Sequence, residues 1–130
     1  MSVTTENQSV GQSSRSVLPT ETRPWGAFFV LEECEGFKVK RLLVLPQGQL
    51  SLQSHRRRAE HWVVVNGEAT VTLGEEKRLL IKGQSIDVPL GAVHRIENFG
   101  EEDVEIIEVQ FGDYLGEDDI TRYEDVYSRV

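Results

Sequence analysis

The sequence predicts an all-β fold, an antiparallel sandwich or barrel, and three observations carry that prediction. Short runs rich in Val, Ile, Phe and Thr recur about every ten residues. Gly-containing turns separate them, among them Asn66-Gly67, a hairpin signal. No helical period appears before residue 118, so regular strand spacing is the dominant pattern.

The elements follow in chain order. Residues 1–22, rich in Ser, Thr, Gln and Asn, hold too little apolar surface to offset ordering entropy and are expected to form a disordered tail. Arg23-Pro24-Trp25-Gly26 opens a folded domain expected to run over residues 23–130. Residues 27–31 read as a strand, and 34–36 as a turn. In residues 37–45, Phe, Val, Arg and Leu alternate against Lys, Lys, Leu and Val. Pro46-Gln47-Gly48 is a turn. Gln53 and His55, two apart on an extended stretch, point the same way. The basic loop Arg56-Arg57-Arg58-Ala59 restarts the phase, and Glu60 leads a strand that closes at Asn66-Gly67. Strands are expected over 68–73, 78–81, 85–88, 95–99 and 104–111, with a Pro89–Gly91 turn delivering His94. Asp118 or Asp119 is placed to N-cap a short C-terminal helix over 120–128.

Composition narrows the function classes. The chain has 130 residues, enough for one core, and a net charge of −8. That acidic balance argues against non-specific nucleic-acid binding, which needs a basic face. It also means that an anionic substrate would need a local cluster of arginines. No apolar run reaches the length of a membrane span, and no apolar region follows Met1. Cys34 is the single cysteine, which suits a reducing compartment, and a cytoplasmic location is expected. It reads as an exposed thiol in a turn.

Two stretches carry the chemistry. Gln53, His55 and Glu60 lie in the first, and His94 lies in the second. Two imidazole nitrogens, a carboxylate oxygen and an amide oxygen suit a borderline divalent cation. Three strong ligands and a weak neutral amide leave room for a substrate oxygen, which is the arrangement of a catalytic site. His61, adjacent to Glu60, should face away from it. Trp25, Trp62 and Tyr114 read as core or interface aromatics rather than sugar platforms.

The spacing Gln53-x-His55-x4-Glu60-x6-Gly67 resembles the first cupin motif, with Gln at the position of a common His. Gly83-x5-Pro89-x-Gly91-x2-His94-x3-Asn98 is similar to the second. Among cupins, "RPWG", "RAEHWVVVNGEATVT", "PLGAVHRIEN" and "IEVQFGDYLGEDDITRYEDVYSR" resemble the cupin domain of type II phosphomannose isomerases, a likeness running from Arg23 to Arg129. It implies a cupin double-stranded β-helix, a jelly-roll barrel. It further implies a stand-alone cupin domain that interconverts mannose 6-phosphate and fructose 6-phosphate. Relatives of this kind often carry the domain behind a sugar-phosphate guanylyltransferase, so a separate guanylyltransferase is an expected functional partner. A homodimer formed through the Phe28-Phe29 strand is a further expectation.

The resemblance also implies roles. Gln53, His55, Glu60 and His94 would hold the ion, and the neutral Gln oxygen shifts preference from iron towards zinc. Arg122 and Arg129 match the C-terminal motif and imply substrate binding by guanidinium groups, with Arg95 as a third candidate. Isomerisation needs a proton shuttle, for which Glu117, Asp118 and Lys40 are the leading residues, with Asp119 and Glu108 beside them. Members of the family commonly show His where this chain has Arg56 and Arg57. That departure keeps open a non-catalytic sugar-phosphate or metal-binding cupin module. A metal-dependent dioxygenase is the remaining alternative.

Overall fold

The computed structural model describes residues 18–129. Its strands are β1 (Glu21–Arg23), β2 (Gly26–Cys34), β3 (Phe37–Val44), β4 (Leu52–Ser54), β5 (Arg58–Asn66), β6 (Ala69–Leu73), β7 (Glu76–Leu80), β8 (Ser85–Val88), β9 (His94–Glu97), β10 (Val104–Gly112) and β11 (Thr121–Glu124). Six of them form one sheet in the order β1-β2-β3-β10-β5-β8, and five form the other in the order β11-β4-β9-β6-β7. Every pairing is antiparallel. The fold is the all-β cupin jelly roll, with one core between the sheets.

Inward-facing residues explain why the site sits at one end of the barrel. On β3 they are Lys38, Lys40, Leu42 and Val44, so the strand buries its lysine face and leaves Phe37 exposed. On β5 they are Arg58, Glu60, Trp62 and Val64, and on β10 Val104, Ile106, Glu108 and Gln110. Register stacks like with like: Ile106 lies between Leu42 and Val64, whereas Glu108 lies between Lys40 and Trp62, and Gln110 between Lys38 and Glu60. The barrel is therefore apolar at one end and charged at the other. Burial of the apolar end drives folding, and the charged end is tolerable because opposite charges meet there.

Three expectations meet a different outcome or boundary. The helix expected over 120–128 is not formed. Thr121–Glu124 is strand β11, which takes the free edge of β4 at Thr121↔Ser54 and Arg122↔Gln53. Thr and Tyr suit that pleated edge, and Asp119 spends its carboxylate on another loop instead of capping a helix. On the strand expected to carry a dimer edge, β1 pairs with Gly26–Phe28, β3 covers the other side, and the Phe28 and Phe29 side chains are buried. Residues 1–17 of the expected tail lie outside the described residues, and β1 begins at Glu21, across the boundary expected at residue 22.

Candidate active site

The donor set is assembled from three elements. His55 follows β4, Glu60 lies on β5, and His94 opens β9. All three are buried, and their ligating atoms fall within 4.8 Å of one another. His55 Nε2 is 3.2 Å from Glu60 Oε2, and His94 Nε2 is 4.0 Å from Glu60 Oε1. The backbone fixes both imidazoles. His55 Nδ1 is 2.7 Å from the Asp119 carbonyl and His94 Nδ1 is 3.0 Å from the Ala92 carbonyl. A carbonyl only accepts, so Nδ1 carries the proton and Nε2 turns its lone pair to the centre. Burial, with Arg58 second, lowers the His55 pKa to about 4, and burial lowers that of His94 as well. Both rings are thus neutral at pH 7, the form that ligates a cation.

Local sequence explains the approach of these loops. Asp119 accepts the backbone N–H groups of Arg56 and Arg57 at 3.0 Å each, so one side chain pins the basic loop. Gly91 N donates to the His55 carbonyl at 2.9 Å, joining the two motif stretches. Gly112 lies opposite Arg58, and a Cβ there would sit 2.1 Å from the Arg57 carbonyl oxygen, so only glycine permits the contact.

Gln53 pairs with His94 across the β4–β9 ladder. Its amide nitrogen donates to Ser51 Oγ at 2.8 Å and to the Ser51 carbonyl at 3.2 Å, which directs the amide oxygen away from Ser51. Arg58 is buried beside the donors: Nε donates to Glu60 Oε2 at 2.8 Å, and Nη2 lies 3.2 Å from His55 Nε2. Glu108 is buried and hydrogen-bonded to Glu60; burial first, then the Glu60 charge, pushes its pKa up to about 8.

An open cleft adjoins this centre through Arg58, which also lines it. Lys40, Gln53, Arg58, Glu108 and Glu117 line it together with Arg23, Arg122 and Arg129. A smaller hollow lined by Glu60, Trp62 and His94 shares Gln53 and Glu108 with the cleft. Lys40 Nζ donates to Glu117 Oε2 at 2.5 Å and lies 4.0 Å from the centre of the Phe28 ring. Arg129 makes a two-pronged pair with Asp125, at 2.6 and 3.0 Å. Arg122 Nε is buried with no hydrogen-bond partner.

Of the expected site residues, the structure brings Gln53, Lys40, Glu117, Arg122 and Arg129 to the cleft, and His55, Glu60 and His94 to the centre. Arg95 lines the hollow beside Glu60 and His94, with its guanidinium tied to the Leu50 carbonyl and Glu124. Two others are placed elsewhere. Asp118 is exposed and accepts from the Tyr114 hydroxyl at 2.5 Å. Asp119 serves the loop, as above. His61 points outward to Asp87. Arg56 and Arg57 are exposed, Arg57 pairs with Asp113, and neither lines the cleft. Arg23 is a charged lining residue that sequence reasoning did not single out for the site. Its signal was its position at the domain's opening turn.

The chain is similar to known proteins over most of its length. Residues 10–125 match the family model described as mannose-6-phosphate isomerase C-terminal. The chain is 50% identical over 128 residues to the xanthan biosynthesis protein XanB of Xanthomonas campestris pv. campestris, covering 98% of this chain and 27% of XanB. It is 50% identical over 108 residues to the mannose-1-phosphate guanylyltransferase ManC of Salmonella typhimurium, covering 83% of this chain and 22% of ManC. The chain thus spans about a quarter of the length of these relatives. Among solved structures, the cupin domain of Schizosaccharomyces pombe Cnp3 superposes with a TM-score of 0.70 at 21% identity, over 83% of this chain and 77% of that one.

Proposed function

Because the chain belongs to the mannose-6-phosphate isomerase C-terminal family, we propose that it is a metal-dependent aldose–ketose isomerase acting on mannose 6-phosphate and fructose 6-phosphate. One observation carries the reading: the Lys40–Glu117 pair and Arg122 and Arg129 line one cleft, and Glu60 and His94 of the donor set line a hollow that shares Gln53 and Glu108 with it. The donors suit a divalent cation, since two neutral imidazoles with fixed tautomers and a carboxylate present three ligand atoms at short mutual distances. His55, Glu60 and His94 would hold the ion with the Gln53 oxygen, and zinc fits this mixture of nitrogen and oxygen donors. When bound, it would supply Lewis acidity towards the oxygens of the reacting sugar carbons.

The chain's own groups do the remaining work. Glu117 takes the proton from C2, beside the aldehyde carbon, and returns it to C1, while the C2 hydroxyl proton passes to the C1 oxygen, so that the aldehyde becomes an alcohol and C2 the ketone. Lys40, 2.5 Å from Glu117, holds that carboxylate and sets a positive charge near the oxygen where negative charge develops. Arg122 and Arg129 take the phosphate, with Asp125 fixing the Arg129 fork. Trp25 and Phe28 give the cleft apolar walls that exclude water. No helix among the described residues is long and apolar enough to cross a membrane. The names of XanB and ManC support a setting in polysaccharide synthesis, beside a sugar-phosphate guanylyltransferase.

A coupled assay tests the reading by following fructose 6-phosphate formed from mannose 6-phosphate. Zinc-loaded protein is compared with chelated protein and with His94→Ala. Turnover that requires both metal and His94 is the expected result. A folded, metal-loaded protein without turnover would overturn it and favour a binding module.

A further inference from the structure

Three guanidinium groups line the cleft in a protein whose net charge is −8. Two of them, Arg122 and Arg129, come from the C-terminal segment. The third, Arg23, comes from the opposite end of the described chain, on β1. Only part of this charge is balanced. Asp125 engages Arg129 through two oxygens. Arg23 donates from Nη1 to Glu21 and to the Thr22 carbonyl. Arg122 has a buried Nε with no partner. Desolvation lowers the Arg122 pKa, and the nearby positive charges of Arg129 and Arg23 lower it further. Like charges gathered in a partly desolvated cleft repel one another, and the arrangement is stabilised once an anion sits among them.

We propose that Arg23 is the third arm of an anion cradle formed with Arg122 and Arg129, which makes strand β1 part of the binding site for a phosphate monoester. The inference rests on the sugar-phosphate reading above and deepens it. Arg23 is well placed for the role: its guanidinium carbon lies 5.1 Å from the centre of the Phe28 ring, and that ring lines the same cleft. Its partner Glu21 is half exposed, so a dianion arriving from solvent competes with a weakly held salt bridge rather than a buried one. Among the described residues, β1 is an edge strand of three residues paired with β2 alone. Contact with a ligand would therefore tie the N-terminal edge to the C-terminal segment across the cleft. The cradle would also favour a phosphorylated sugar over the neutral one.

Titration calorimetry on the full, zinc-loaded chain tests the cradle without relying on turnover. The probes are inorganic phosphate, mannose 6-phosphate and mannose, with wild type, Arg23→Gln, Arg23→Lys and Arg122→Gln, each checked for an unchanged far-ultraviolet spectrum and zinc content. The expected result is that Arg23→Gln weakens the phosphate ester about tenfold. Arg23→Lys should recover part of that loss, and mannose should bind all variants alike. Phosphate-ester binding by Arg23→Gln equal to wild type would overturn the proposal, as would a loss that mannose shares. Full ester binding with no isomerisation would sink the isomerase reading and leave the cradle standing. Turnover with a KM unaffected by Arg23→Gln would do the reverse.

Discussion

Trp62 Nε1 donates to Glu60 Oε1 at 2.8 Å, so the largest fully buried side chain of the core also orients the carboxylate of the candidate metal centre. The two residues are i and i+2 on β5 and share its inward face, which makes the bond a direct product of strand geometry. Replacing Trp62 by Phe keeps an aromatic ring but removes the donor. Zinc affinity, measured by competition with a chelator, should fall about 10- to 100-fold, as for other groups that orient a ligand. An unchanged affinity would mean that Trp62 serves packing alone.

The Lys40–Glu117 pair makes a separate prediction. Neither residue belongs to the donor set, so Glu117→Gln and Lys40→Met should retain zinc. Their kcat should drop by about 10²- to 10⁴-fold, the usual contribution of a positioned acid or base. Exchange of the substrate's carbon-bound proton with deuterated water should be lost in step with turnover in Glu117→Gln. Exchange that persists in this variant would assign the base elsewhere.

Glu108 sets a pH dependence of stability in the chelated protein. Its carboxyl has an ordinary pKa of 4.5 and is pushed up to about 8 by burial and by Glu60. Between these values the folded protein holds a proton that the unfolded chain releases, so rising pH favours unfolding. His55 acts oppositely: with its pKa lowered from 6.5 to about 4, falling pH through that window favours unfolding. Above pH 6.5 the Glu108 effect stands apart from that of His55. The urea midpoint should fall between pH 6.5 and 8, and Glu108→Gln should flatten that slope. A wild-type midpoint that holds steady over this range would show that Glu108 is ionised in the fold.

Asp119 links the loop to the centre through two backbone N–H groups. Asp119→Ala should free the loop carrying His55 and weaken zinc binding by about tenfold, less than loss of His94 itself. Equal losses in the two variants would place Asp119 among the ligands.

Much of the fold was legible in the sequence because strand alternation and glycine turns are local signals. The expected strands over 37–45, 85–88 and 104–111 correspond to β3, β8 and β10. The segment 120–128 was misread because an aspartate ahead of an apolar-spaced run looks like a helix cap. What decided it was the open edge of β4, which is not local information.

The sequence by itself determined the alternation, the turns, and the spacing that puts two histidines and a carboxylate on three separate segments. Tertiary structure decided which face of β3 turns inward, and hence that Lys40 rather than Phe37 is buried. It also decided that Glu117, 77 residues away along the chain, meets that lysine, and that Arg23 stands beside Arg122 and Arg129. The physical reason is register. Local pattern fixes the two faces of a strand, but which face is buried depends on the charges that neighbouring strands bring opposite it.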